Sequence, residues 1–138
     1  MELGTFGAIL GFAIDLEKQA AAFYEAAAEG RLVQAFHELV RSSYKRLRRL
    51  EQARRELVAE IILESITGLD SDAYGVDLDP ETDEAGLLRQ GRAFEEVATR
   101  FYRDAAGKMP IREVVRLFQR LARENEQRRA RLEAVQQV

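Results

Sequence analysis

Apolar residues recur at steps of three and four along four stretches of this chain, the spacing that keeps side chains on one side of an α-helix. One stretch carries Phe36, Leu39, Val40, Ser43, Arg46 and Leu50, in the spacing F-x-x-L-V-x-x-S-x-x-R-x-x-x-L. The same spacing returns as Phe118, Leu121, Ala122, Asn125, Arg128 and Leu132. A second pair also lines up: Ile9, Ala13, Glu17, Ala20, Phe23, Tyr24 and Ala27 with Leu87, Gly91, Glu95, Ala98, Phe101, Tyr102 and Ala105. The chain therefore reads as two copies of a helical hairpin, which makes the expected fold all-α.

Six polar residues interrupt these stripes. Ser43 and Arg46 lie mid-face on the second helix, Asn125 and Arg128 on the fourth, and Glu17 and Glu95 on the first and third. A polar group in the middle of an apolar face is costly to bury unless it meets a partner. Bringing the four faces together would place two carboxylates, two guanidiniums, a hydroxyl and an amide in one bundle core.

The paired pattern E-x-x-A-x-x-F-Y followed by F-x-x-L-A-x-x-E-x-x-H-x-x-x-L, present twice, is that of the rubrerythrin branch of the ferritin-like di-iron carboxylate proteins. This chain resembles that family over about residues 5–135. The resemblance implies a four-helix bundle of two hairpins joined by a long crossover. In that family the Glu of each first helix and the E-x-x-H of each second helix bind metal. The first kind stands here as Glu17 and Glu95. At the second, Ser43 and Asn125 occupy the Glu positions, and Arg46 and Arg128 occupy the His positions.

A guanidinium is always protonated and only donates hydrogen bonds, so arginine is no metal ligand. It supplies instead a positive charge and a donor fork suited to a carboxylate. Two Glu and two Arg balance formally, so the notch can be neutral without iron. The expectation is a vestigial site in which Arg46 and Arg128 pair with Glu17 and Glu95, while Ser43 and Asn125 take up leftover hydrogen-bonding sites. No metal or other cofactor, and no catalytic residue, is expected.

The 138 residues suit one domain with a real core. The expected helices span about residues 3–29, 33–67, 83–106 and 111–136, with a crossover at about 68–83. Met1 to Phe12 reads as the start of the first helix rather than as a secretory leader, and no segment reaches the length needed to span a bilayer. The expected location is cytoplasmic. The absence of cysteine excludes disulfides, thiolate chemistry and the C-x-x-C module that accompanies many rubrerythrins. Late in the second helix, Val58, Ile61, Ile62, Leu63 and Ile66 are apolar over too wide an arc for a simple bundle helix. Together with the family resemblance, this suggests a homodimer.

The crossover is rich in Asp with Gly75 and Pro80, a composition that favours turns and disorder. Against the calcium-loop template, Asp70, Asp72, Gly75 and Glu81 fall at positions 1, 3, 6 and 12, but Tyr74 and Asp77 break the pattern. A solvated acidic linker is the expectation. The arginine-dense runs are interleaved with Glu, and the net charge is −3, so nucleic acid is not an expected partner. His37 reads as a solvated side chain, and Tyr24 and Tyr102 as residues at the core edge whose hydroxyls reach a polar group. Two functions remain open. One is a metal-free structural or interaction module with an unknown protein partner. The other is a di-iron oxidoreductase, peroxidase or iron-handling protein whose ligands have shifted to Glu51, Glu56 or Glu124.

Overall fold

The computed structural model describes residues 1–57 and 65–136. Four α-helices lie among the described residues: α1 Phe6–Ala27, α2 Val33–Leu57, α3 Glu84–Ala106 and α4 Arg112–Gln136. Among the described residues there is no strand, only an isolated bridge between Glu2 and Asp70. The helices α1 and α2 pack as one hairpin and α3 and α4 as another; the hairpins meet through α1 against α3 and α2 against α4. The fold is an all-α four-helix bundle of two hairpins and a crossover. No helix among the described residues is long and apolar enough to cross a membrane.

The buried face of each helix is the stripe read from its spacing. Ile9, Ala13, Ala20 and Phe23 from α1 meet Phe36, Leu39 and Leu50 from α2, and Phe94, Ala98 and Phe101 from α3 meet Phe118, Leu121 and Leu132 from α4. Small residues such as Ala13, Ala20 and Ala98, all fully buried, let backbones approach closely. Gly91 does so at one point where space is measurable: a Cβ there would stand 3.1 Å from Leu132 Cδ1 and 3.4 Å from Tyr24 Cε1.

Three expectations need correction. The first helix starts at Phe6 rather than near Leu3, because the Thr5 hydroxyl accepts from the Ala8 N–H and caps it. The residues before it are extended along the crossover: Leu3 N donates to Leu69 O at 2.7 Å and Ser71 N to Met1 O at 2.9 Å. At its other end α1 stops at Ala27, and Gly30, with φ +56, opens a single 3-10 turn into α2.

The second correction concerns the end of α2, which is described to Leu57; residues 65–67 are not helical. Ile66 is buried and donates its N–H to Gly4 O at 3.0 Å. It faces its own amino-terminal segment, so it gives no support to a subunit contact. Val58, Ile61, Ile62 and Leu63 lie outside the described residues.

The crossover is the third. It packs on the bundle rather than trailing in solvent. Leu69 and Tyr74 are buried, and Val76 and Leu78 lie partly buried against the core. A short 3-10 helix, Ser71–Tyr74, carries the Tyr74 ring onto Phe12 and Phe101, and its hydroxyl donates to Asp104. Burial, then the Asp104 carboxylate, raises the Tyr74 pKa. Asp70 Oδ1 accepts from the Asp72 N–H and from the amino-terminal ammonium, at 2.9 Å each. Isolated apolar residues in a polar stretch can still bury when a non-local groove receives them, and sequence spacing carries no trace of that groove.

Candidate functional site

The six mid-stripe residues meet at the centre of the bundle, all of them buried: Glu17, Ser43, Arg46, Glu95, Asn125 and Arg128. Within each hairpin an arginine reaches the carboxylate of its neighbour. Arg46 Nη2 lies 3.2 Å from Glu17 Oε1, and Arg128 Nε lies 3.1 Å from Glu95 Oε1. Arg128 Nη1 also comes within 4.0 Å of Glu17 Oε2.

Between the hairpins, the contacts cross over. Arg46 Nη2 donates to Asn125 Oδ1 at 2.6 Å, and Arg128 Nη2 donates to the Ser43 hydroxyl at 3.1 Å. Tyr24 on α1 donates to Glu95 Oε2 at 2.8 Å, and Tyr102 on α3 donates to Glu17 Oε1 at 2.9 Å. The arginines lie over these same rings, Arg46 over Tyr102 at 5.4 Å and Arg128 over Tyr24 at 5.8 Å from the ring centres. Partners pair in opposite sequence order, so α1 runs antiparallel to α3 and α2 to α4.

One asymmetry remains, and it follows from side-chain length. Asn125 both accepts from Arg46 and donates to Glu95 Oε1 at 2.8 Å, whereas the shorter Ser43 only accepts from Arg128. Glu95 thus has hydrogen bonds to both oxygens, while Glu17 Oε2 has none. Nε and Nη1 of both arginines are also buried without a hydrogen bond. Arg128 Nε is near enough to Glu95 for a charge pair but lies off the line of its N–H.

Electrostatics follow from this geometry. Burial pushes the Tyr24 and Tyr102 hydroxyls well above the usual tyrosine pKa, and the carboxylates beside them, Glu95 and Glu17 respectively, push the same way. For Arg128, burial favours the neutral form, but Glu95 and Glu17 outweigh it and the pKa is raised.

The two tyrosines are therefore full members of the cluster, fully buried rather than at the core edge. A signal was present: each stands seven residues, two helical turns, after a mid-stripe glutamate on the same face. What the spacing could not show is that each serves the carboxylate of the other hairpin.

The remaining candidates stay outside. Glu51 and Glu124 are half-buried and Glu56 exposed; Glu124 pairs with Arg120 at 3.5 Å and Glu56 accepts from Gln52. His37 is exposed. As a donor set for a pair of metal ions the cluster fits poorly: it offers two carboxylates, both already engaged by tyrosine and arginine donors, beside two groups that cannot ligate. No group of three or more His, Cys, Asp or Glu side chains with metal-binding geometry occurs among the described residues.

The profile of the ferritin-like domain family matches residues 7–136, the whole bundle. The chain belongs to the ferritin-like domain family. Searches of curated proteins and of solved structures found no match. At the place where the four stripes of this bundle converge stands a network of Glu, Arg, Tyr, Ser and Asn side chains.

Proposed function

We propose that this ferritin-like domain is a divergent, rubrerythrin-like member that has lost its di-iron site and works as a non-catalytic structural or interaction module. A duplicated hairpin accounts for the aligned positions of its two halves. The observation that carries the reading is the seating of Arg46 and Arg128 against Glu17 and Glu95, with their cationic groups buried between the hairpins. A divalent cation entering there would sit beside two fixed positive charges and would have to displace their pairing with the carboxylates.

The network also gives the domain a reason to keep polar groups in its core. A buried ion pair adds little net stability, because desolvation offsets attraction. A shift in register would break its contacts, because each tyrosine meets the glutamate of the opposite hairpin. Elemental analysis of protein produced with added ferrous iron tests the proposal. Iron at background level is the expected result, and near two irons per chain would overturn it.

A further inference from the structure

A second polar feature lies on the outside, where α2 and α4 leave a groove of about 520 Å³. Arg41, Lys45 and Arg49 follow one another at four-residue steps along α2, one above the other on its surface, and Arg131 faces them from α4. Arg46 lies in the groove's lining; its side chain is 2% exposed, and its Nε and Nη1 have no hydrogen-bond partner.

The two acids in the lining already have cationic partners. Glu38 takes Arg131 at 3.4 Å and Glu124 takes Arg120 at 3.5 Å. Arg41, Lys45 and Arg49 have no ion pair among the described residues. A depression of about 510 Å³ between α3 and α4 makes the contrast: there Arg129 pairs with Glu96 and Glu133, Arg103 pairs with Glu126, and Arg100 donates to the Ala73 carbonyl. Among the described residues, the α2–α4 groove combines uncompensated cations with a buried guanidinium that has donors to spare.

We propose that this groove is a binding site for a small, multiply charged phosphoryl oxyanion of the polyphosphate type. Its size falls within the range of small-molecule sites, about 300–1,000 Å³. Every lining side chain is charged or a hydroxyl, Ser42 being the hydroxyl, so the groove offers no apolar wall for an acyl chain and no aromatic ring to stack on a nucleobase. A row of two guanidiniums and an ammonium is suited to phosphate oxygens, which accept paired N–H donors from arginine and a point charge from lysine. Long nucleic acids are disfavoured because Glu38 and Glu51 flank the cationic row along α2. Arg46 belongs both to the groove and to the buried network, so occupancy would be felt at Glu17 and Asn125. This site goes beyond the proposed metal-free reading and does not depend on it.

The test is calorimetric titration of the intact chain with inorganic tripolyphosphate at low ionic strength. The expected result is saturable one-to-one binding that weakens as salt rises. The variant Arg41→Gln, Lys45→Gln, Arg49→Gln changes only exposed side chains and should bind at least tenfold more weakly. Removing two charges from the other face, by Arg103→Gln with Arg129→Gln, should leave binding unchanged. A nucleoside triphosphate should bind no tighter than tripolyphosphate. The proposal is overturned by absent saturation, by equal loss in both variants, by tenfold preference for the nucleotide, or by a single-stranded oligonucleotide binding tighter than tripolyphosphate at matched charge.

Discussion

Tyr24 on the first helix and Glu95 on the third are joined by a 2.8 Å hydrogen bond across the bundle, and Tyr102 returns the same contact to Glu17. These two bonds tie one hairpin to the other beside the Arg46–Asn125 and Arg128–Ser43 contacts. Replacing either hydroxyl therefore acts on the docking of the halves as well as on one side chain.

Tyr24→Phe keeps the ring and removes the donor, leaving Glu95 Oε2 buried without its partner. The expected cost is about 1–3 kcal/mol. Chemical denaturation should show this for Tyr24→Phe and for Tyr102→Phe. The double variant should depart from the sum of the two, because both hydroxyls belong to one network.

Arg128→Ala strands Glu95 and removes the hydrogen bond to Ser43. Loss of one partner of a buried pair costs about 3–5 kcal/mol. Glu95→Gln with Arg128→Gln should recover part of that loss, since no lone charge is left. A double-mutant cycle on unfolding free energy measures the coupling, and a value near zero would show that the pair does not act together.

Stability should fall steeply in alkali. The folded-state pKa values of Tyr24 and Tyr102 are raised, first by burial, while the unfolded chain releases these protons near pH 10. Above that pH the native state holds more protons than the unfolded state, so stability falls as pH rises. Each tyrosine contributes a slope of about 1.4 kcal/mol per pH unit, and below about pH 9 the contribution is constant. Urea denaturation between pH 8 and 11 should show the break, and Tyr24→Phe with Tyr102→Phe should flatten it.

Gly91→Ala sets helix propensity against packing. Alanine is favoured over glycine within a helix by about 1 kcal/mol. The new Cβ would stand 3.1 Å from Leu132 Cδ1 and 3.4 Å from Tyr24 Cε1, and both side chains are fully buried, so neither can yield freely. Overpacking of this kind costs about 1–3 kcal/mol. A net loss of about 1 kcal/mol is expected, and a stabilised variant would mean that Tyr24 shifts without leaving Glu95.

The convergence of the six mid-stripe residues was legible because helical periodicity is local: a step of three or four places Arg46 beneath Ser43 wherever the helix lies. The all-α fold followed from the same rule. Contacts that depend on distance in space were not legible. Tyr102 reaches Glu17 from 85 residues away, and nothing in either stretch names the other. Leu3 and Leu69 pair through backbone atoms, which leave no mark on side-chain pattern. The crossover's composition suggested solvation, yet Tyr74 found a place against Phe12 and Phe101.

The cations at the centre of this bundle are held by covalent bonds to the polypeptide. They cannot be chelated, exchanged for a competing ion or oxidised to another valence. The charge that these two arginines bring to the core is set when the chain is translated.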